Sequence, residues 1–157
     1  MWKIAVLVSG KGTTLASLAE HCADEINGAL CRAVEISCVL ADRECPAREV
    51  AEQYNLPFKV CTEDEMFQEK VDLWVMAGFL KKITVPDELY GKIINMHPSF
   101  LPEYGGKGMY GSKVHEAVIR DKKKFTGCTV HIVDNEYDHG PVLERMKLAV
   151  LPWDTAD

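Results

Sequence analysis

Short apolar runs, several of them rich in β-branched residues, alternate along the chain with stretches whose apolar positions recur three and four residues apart. The first run, residues 3–8 (KIAVLV), ends in Ser9-Gly10-Lys11-Gly12-Thr13-Thr14, after which Leu15, Leu18 and Ala19 repeat with helical spacing. This predicts strand, turn, helix. Residues 35–40 (EISCVL) read as a second strand, and residues 45–54 as a second helix, with Pro46 suited to its first turn. Residues 71–76 (VDLWVM) and 92–96 (KIINM) are further strands, with residues 86–90 a short helical turn between them. Residues 112–120 place Val114, Ala117 and Val118 on one helical face, and strands follow at 128–133 and 142–150.

Alternating strands and helices are most economically accommodated by an α/β doubly wound fold, a mostly parallel sheet with helices on both faces. At 157 residues a single domain, 1–157, is expected. A chain of this length buries roughly 68–70% of its unfolded surface, so no metal or disulfide is required to hold it. The glycine-rich run between Phe100 and Gly111 (LPEYGGKGMYG) fits neither regular element, and loops of this length are often functional.

Composition narrows the classes. The six cysteines contain no C-x-x-C pair, and no pair of closely spaced histidines joins them as a zinc site requires, which argues against structural zinc, and Cys38 and Cys128 lie in apolar runs as small hydrophobes do. The N-terminal apolar run lacks a basic leader and a cleavage site, and no run approaches the roughly 20 apolar residues of a membrane span. The expectation is a cytoplasmic chain with no metal. A formal net charge of −6 argues against broad attachment to nucleic acid or to an anionic membrane. Lys122, Lys123 and Lys124 follow a predicted helix, where cations favour the helix dipole and face solvent.

Two places carry candidate chemistry. In an open parallel sheet, ligands sit at the carboxyl ends of strands, and the turn entering the first helix presents N–H groups to anions. Ser9–Thr14 is such a turn, with Gly10 and Gly12 permitting close approach and Thr13 and Thr14 supplying hydroxyls and amides. The third glycine of G-x-G-x-x-G is replaced by Leu15 and no G-x-x-x-x-G-K-[ST] occurs, which disfavours a nicotinamide cofactor or a nucleoside triphosphate. The glycines of a plain tight turn would read the same way.

The second place is IINMHPS, where Asn95 and His97 stand two residues apart at a strand end, on one face and roughly 6.5 Å apart. Pro98 holds His97 extended and stops the strand. An amide donor beside an imidazole suits a reaction in which a carbonyl oxygen takes on negative charge and a proton must move. Asp138, in the turn DNEYDHGP, can orient such an imidazole from across the sheet. Spacing leaves two plainer readings open, a structural histidine and a solvated acidic turn of Asp134, Glu136 and Asp138.

Taken in order, SGKGTTL, VMAGFLKKI, INMHPSFLPEYGGKGMYG, VHEAV and TGCTVHIVDNEYDHGP resemble the folate-dependent formyltransferases of the phosphoribosylglycinamide type. The resemblance covers nearly the whole chain and is strongest from Val71 to Pro152. It implies the Rossmann-like formyltransferase fold and transfer of a formyl group from the cosubstrate 10-formyltetrahydrofolate to the amine of glycinamide ribonucleotide, a step of purine biosynthesis. It also implies a monomer or homodimer. Asn95 and His97 would then be the oxyanion and proton-transfer residues, and Asp138 the carboxylate partner of His97. Gly12, Thr13 and Thr14 would bind the ribonucleotide phosphate. Gly78, Leu80, Lys81, Lys82 and Ile83, with Asn95 and Val133, would line the folate site, chiefly through backbone and apolar contacts.

The sequence departs from the family pattern at Thr14, where asparagine is usual, at Lys81, where arginine occurs, and at His139, where a small residue is common. Residues 61–70 are shorter than the family's helix at that place. The chain ends at Trp153-Asp154-Thr155-Ala156-Asp157, which looks like the start of a helix, so the resemblance predicts a shortened C-terminus. Competing readings within the chemistry are methionyl-tRNA formyltransferase, which needs an RNA-binding domain and lacks this phosphate turn, and formyltetrahydrofolate hydrolase, which uses water and carries an N-terminal regulatory domain. Outside it stands a shortened, weakly active ligand-binding form.

Overall fold

A computed structural model describes residues 1–23 and 33–156. It divides into two compact units, Met1–Ile83 and Thr84–Asp157. The first unit runs β1 (Trp2–Val8), α1 (Thr13–Ala23), β2 (Val34–Ala41), α2 (Ala47–Gln53), β3 (Phe58–Val60), α3 (Glu63–Met66) and β4 (Leu73–Met76). Its strands lie in the order β3-β2-β1-β4, and all three pairings are parallel. Residues 4–8 of β1 are buried without interruption, as expected for a central parallel strand covered on both faces. One of those faces, Ile4, Val6 and Val8, packs with Leu15 and Ala19 of α1 and Ala47 and Ala51 of α2. The register sets Val8 beside Ala41 and Leu7 beside Met76, so the turns after β1, β2 and β4 emerge at one carboxyl edge.

Two short elements escape a reading based on periodicity, the three-residue β3 and the four-residue α3. The capping box of α3, in which Thr62 N–H donates to Glu65 at 2.8 Å, closes the helix start. Trp74 Nε1 donates to the Met66 carbonyl at 3.0 Å and ties α3 to β4.

The second unit contains a 3-10 turn (Asp87–Leu89), β5 (Ile93–His97), α4 (Ser112–Arg120), β6 (Phe125–Ile132) and β7 (Val142–Ala149). Its strands lie in the order β5-β6-β7, and both pairings are antiparallel. The connection from β6 to β7, residues 133–141, is too short for a parallel crossover, which takes a dozen or more residues, so β7 must run back beside β6. Within the two units, three pairings are parallel and two antiparallel. The helix α4 has the bounds that its periodicity predicts and buries Val114, Ala117 and Val118. The strand β6 starts at Phe125, three residues before the expected Cys128. Among the described residues no helix is long and apolar enough to cross a membrane.

Candidate active site

Asn95 and His97 stand at the end of β5, and the antiparallel register sets His131 opposite Asn95 and Thr129 opposite His97. Residues directly opposite share a face, so Asn95, His97, His131 and Thr129 form one patch. The chain beyond the strand is fastened from β6: Thr129 Oγ1 donates to the Ser99 carbonyl at 2.7 Å and accepts from Leu101 N–H at 3.1 Å. Pro98 therefore ends a strand whose exit path is held on both sides.

Asp138 comes to the same patch from the loop between β6 and β7. Its backbone is in the left-handed region, φ 53°, which aspartate tolerates better than most residues. Oδ1 lies 3.4 Å from His97 Nδ1 and 3.7 Å from His131 Nε2, and it accepts from Asn95 Nδ2 at 3.4 Å. Oδ2 accepts from Gly106 N–H at 2.9 Å. Gly105 passes so close that a Cβ there would meet Asp138 Cβ at 3.1 Å and collide with Leu101. Burial works against ionisation of Asp138, but the groups around it, His97 and the Gly106 amide among them, outweigh it and hold the carboxyl below the usual carboxylate range. Of the three residues expected to act together, Asn95 and His97 thus converge on the ionised carboxylate of the third, Asp138.

His97 is 3% exposed. Its Nε2 lies 2.6 Å from the Tyr104 carbonyl, which only accepts, so that nitrogen carries a proton. Both ring nitrogens are engaged, one by Tyr104 and one by Asp138. The loop carrying Asp138 is pinned further by Asn135 Oδ1, which accepts from Val85 N–H at 2.9 Å, and by Asp134, 2.8 Å from His139 Nδ1. The Asp134 carboxylate draws the exposed His139 upward in pKa.

The phosphate candidate lies in the first unit. Gly12 has φ 76°, and a Cβ there would stand 2.9 Å from the Ala47 backbone, so only glycine lets the turn pass α2. Ala47 N–H donates to the Gly10 carbonyl at 3.0 Å, and Ala16 N–H to the Gly12 carbonyl at 2.8 Å. The amides of Thr13 and Thr14, in the first turn of α1, have no partner within the helix. The stretch from Gly78 adjoins this turn: Ser9 N–H donates to the Gly78 carbonyl at 3.2 Å, and Leu80 N–H to Ser9 Oγ at 2.9 Å. Gly78, Leu80, Lys81 and Lys82 are exposed, whereas Ile83, like Val133 in the second unit, is buried.

The profile of the family described as Formyl transferase matches residues 2–157. The chain belongs to the formyl transferase family. Among formyl transferase relatives, the chloroplastic phosphoribosylglycinamide formyltransferase of Vigna unguiculata is 36% identical over 99% of this chain and 54% of its own length. The phosphoribosylglycinamide formyltransferase of Haemophilus influenzae is 31% identical over 100% of this chain and 77% of its own. The crystal structure of phosphoribosylglycinamide formyltransferase from Anaplasma phagocytophilum matches with a TM-score of 0.81 at 30% identity, over 99% of this chain and 75% of that one. The chain spans little more than half the length of the plant relatives. The Rossmann-like formyltransferase fold expected from the motifs is the fold of these structures.

One residue of the cluster escapes a linear reading. His131 lies in TVHIV, where strand alternation gives it no special mark. Its place beside Asn95 and Asp138 depends on the pairing of β5 with β6, 36 residues apart in sequence.

Proposed function

We propose that this chain transfers a formyl group from 10-formyltetrahydrofolate to the amine of glycinamide ribonucleotide. The observation that carries the proposal is the convergence of Asn95 and His97 on Asp138 at the end of β5, in a chain of the formyl transferase family. The folate donor supplies the activated formyl carbon. As the ribonucleotide amine attacks that carbon, Asn95 Nδ2 donates to the carbonyl oxygen that becomes negative, and a single such donor contributes about 10²–10³ in rate. His97, oriented by Asp138, donates to the same oxygen and handles the proton that leaves the new ammonium for the folate nitrogen as the old C–N bond breaks. The proton that His97 donates is carried on Nε2, 2.6 Å from the Tyr104 carbonyl.

The amides and hydroxyls of Thr13 and Thr14, reached past Gly12, hold the ribonucleotide phosphate at the start of α1. Backbone of Gly78, Leu80, Lys81, Lys82 and Ile83, together with Asn95 and Val133, lines the folate site. The family match spans both units, which supports residues 1–157 acting as one functional domain. The chemistry needs no metal. The net charge of −6 is in keeping with small-molecule partners and no nucleic acid or membrane, and the chain works as a monomer or homodimer in the cytoplasm.

Mass spectrometry of the reaction products tests the proposal. Formylated glycinamide ribonucleotide should accumulate in step with tetrahydrofolate. Release of free formate without a formylated ribonucleotide would assign the chain to hydrolysis instead, and no reaction at all would reject both.

A further inference from the structure

The mechanism above leaves unused a second buried imidazole. His131 is 1% exposed, and its Nδ1 lies 2.9 Å from the Ile132 carbonyl. A carbonyl only accepts, so Nδ1 carries the proton and Nε2 of the neutral ring is left as an acceptor. Asn95 Nδ2 is 3.1 Å from that Nε2. Asp138 Oδ1, at 3.7 Å, is beyond good hydrogen-bond reach of the ring, so the Asn95 amide is the partner that Nε2 has. With one N–H given to His131, the remaining N–H of Asn95 turns toward Asp138, across a longer 3.4 Å. That longer bond is the easier one to exchange for an incoming oxyanion.

We infer that His131 is a positioning residue: by accepting one N–H of Asn95 it fixes the amide with nitrogen, not oxygen, facing the reacting carbonyl. Resting on the proposed function above, this explains how a side chain with two chemically opposite ends presents only its donor. Without the acceptor at His131, the amide can turn about its last torsion and place Oδ1 where negative charge develops, which opposes the reaction.

The test is a double-mutant cycle on kcat and KM with Asn95→Ala and His131→Leu, supported by nitrogen NMR of the free protein. His131→Leu should lower kcat about tenfold, short of the 10²–10³ expected for loss of the donor itself, and leave KM unchanged. In the Asn95→Ala background the same change should cost no more than about twofold, because its whole effect passes through Asn95. His131→Gln, whose side-chain carbonyl accepts the same N–H, should restore most of the rate. Wild-type kcat in His131→Leu, or losses that simply add, would overturn the inference. Should the wild-type chain make no formylated product, the functional reading fails by itself, and NMR still decides this one. A proton on Nδ1 of His131 and a shifted Asn95 amide resonance in His131→Gln support it, while a proton on Nε2 overturns it.

Discussion

At the scale of single residues, the site is organised around a carboxylate that stays ionised although it is largely buried. Asp138 has a folded-state pKa held below its unfolded value of about 3.9 by the groups around it, His97 and the Gly106 amide among them. A depressed pKa contributes stability that is present above the unfolded value and is lost as pH falls through the folded one. Asp138→Asn should therefore be less stable than wild type at pH 6 and lose less on acidification. Urea midpoints followed from pH 6 down to about pH 2.5 should converge for the two proteins, whereas parallel curves would mean that Asp138 is not stabilised by its neighbours. Asn95 and His97 were legible because strand period and Pro98 put both on one face at a strand end. Asp138 was named as the partner of His97 through the resemblance, while spacing alone left it open to being a turn carboxylate, since a contact across residues 97 and 138 needs the β5–β6 register. His131 was illegible for the same reason, and so was the engagement of His97 by the Tyr104 carbonyl, because a backbone acceptor leaves no trace in residue type.

At the scale of elements, the first strand, turn and helix follow directly from the pattern: an apolar run, two glycines, then helical spacing. The φ of Gly12 and its approach to Ala47 give the turn a reason beyond compactness. If the start of α1 holds phosphate, replacing Thr13 and Thr14 together with valine removes two hydroxyl donors but keeps both amides. Calorimetric titration should then show ribonucleotide binding weakened about tenfold or more, at one charge-assisted bond or better, with folate binding unchanged. Equal weakening of both ligands, or of neither, would remove the hydroxyls from the phosphate site. The elements that sequence did not reveal were the shortest. Three residues of β3 and four of α3 are too few for a period to show.

At the scale of the whole molecule, the alternation of strands and helices was enough to give the α/β class, and loop length explains why β7 runs back beside β6. The family match runs from residue 2 to residue 157, across both units, so the candidate chemistry and the candidate phosphate turn lie within one matched segment. The account stands or falls on whether the cluster at the end of β5 performs the transfer. The most direct measurement is the single-turnover rate of formyl transfer in His97→Ala, with both ligands bound at saturating concentration and the fold checked by circular dichroism. The variant should bind both ligands as wild type does and transfer at least about 10²-fold more slowly, the scale of a lost general acid or base. A folded His97→Ala protein that transfers the formyl group at the wild-type rate would contradict the account.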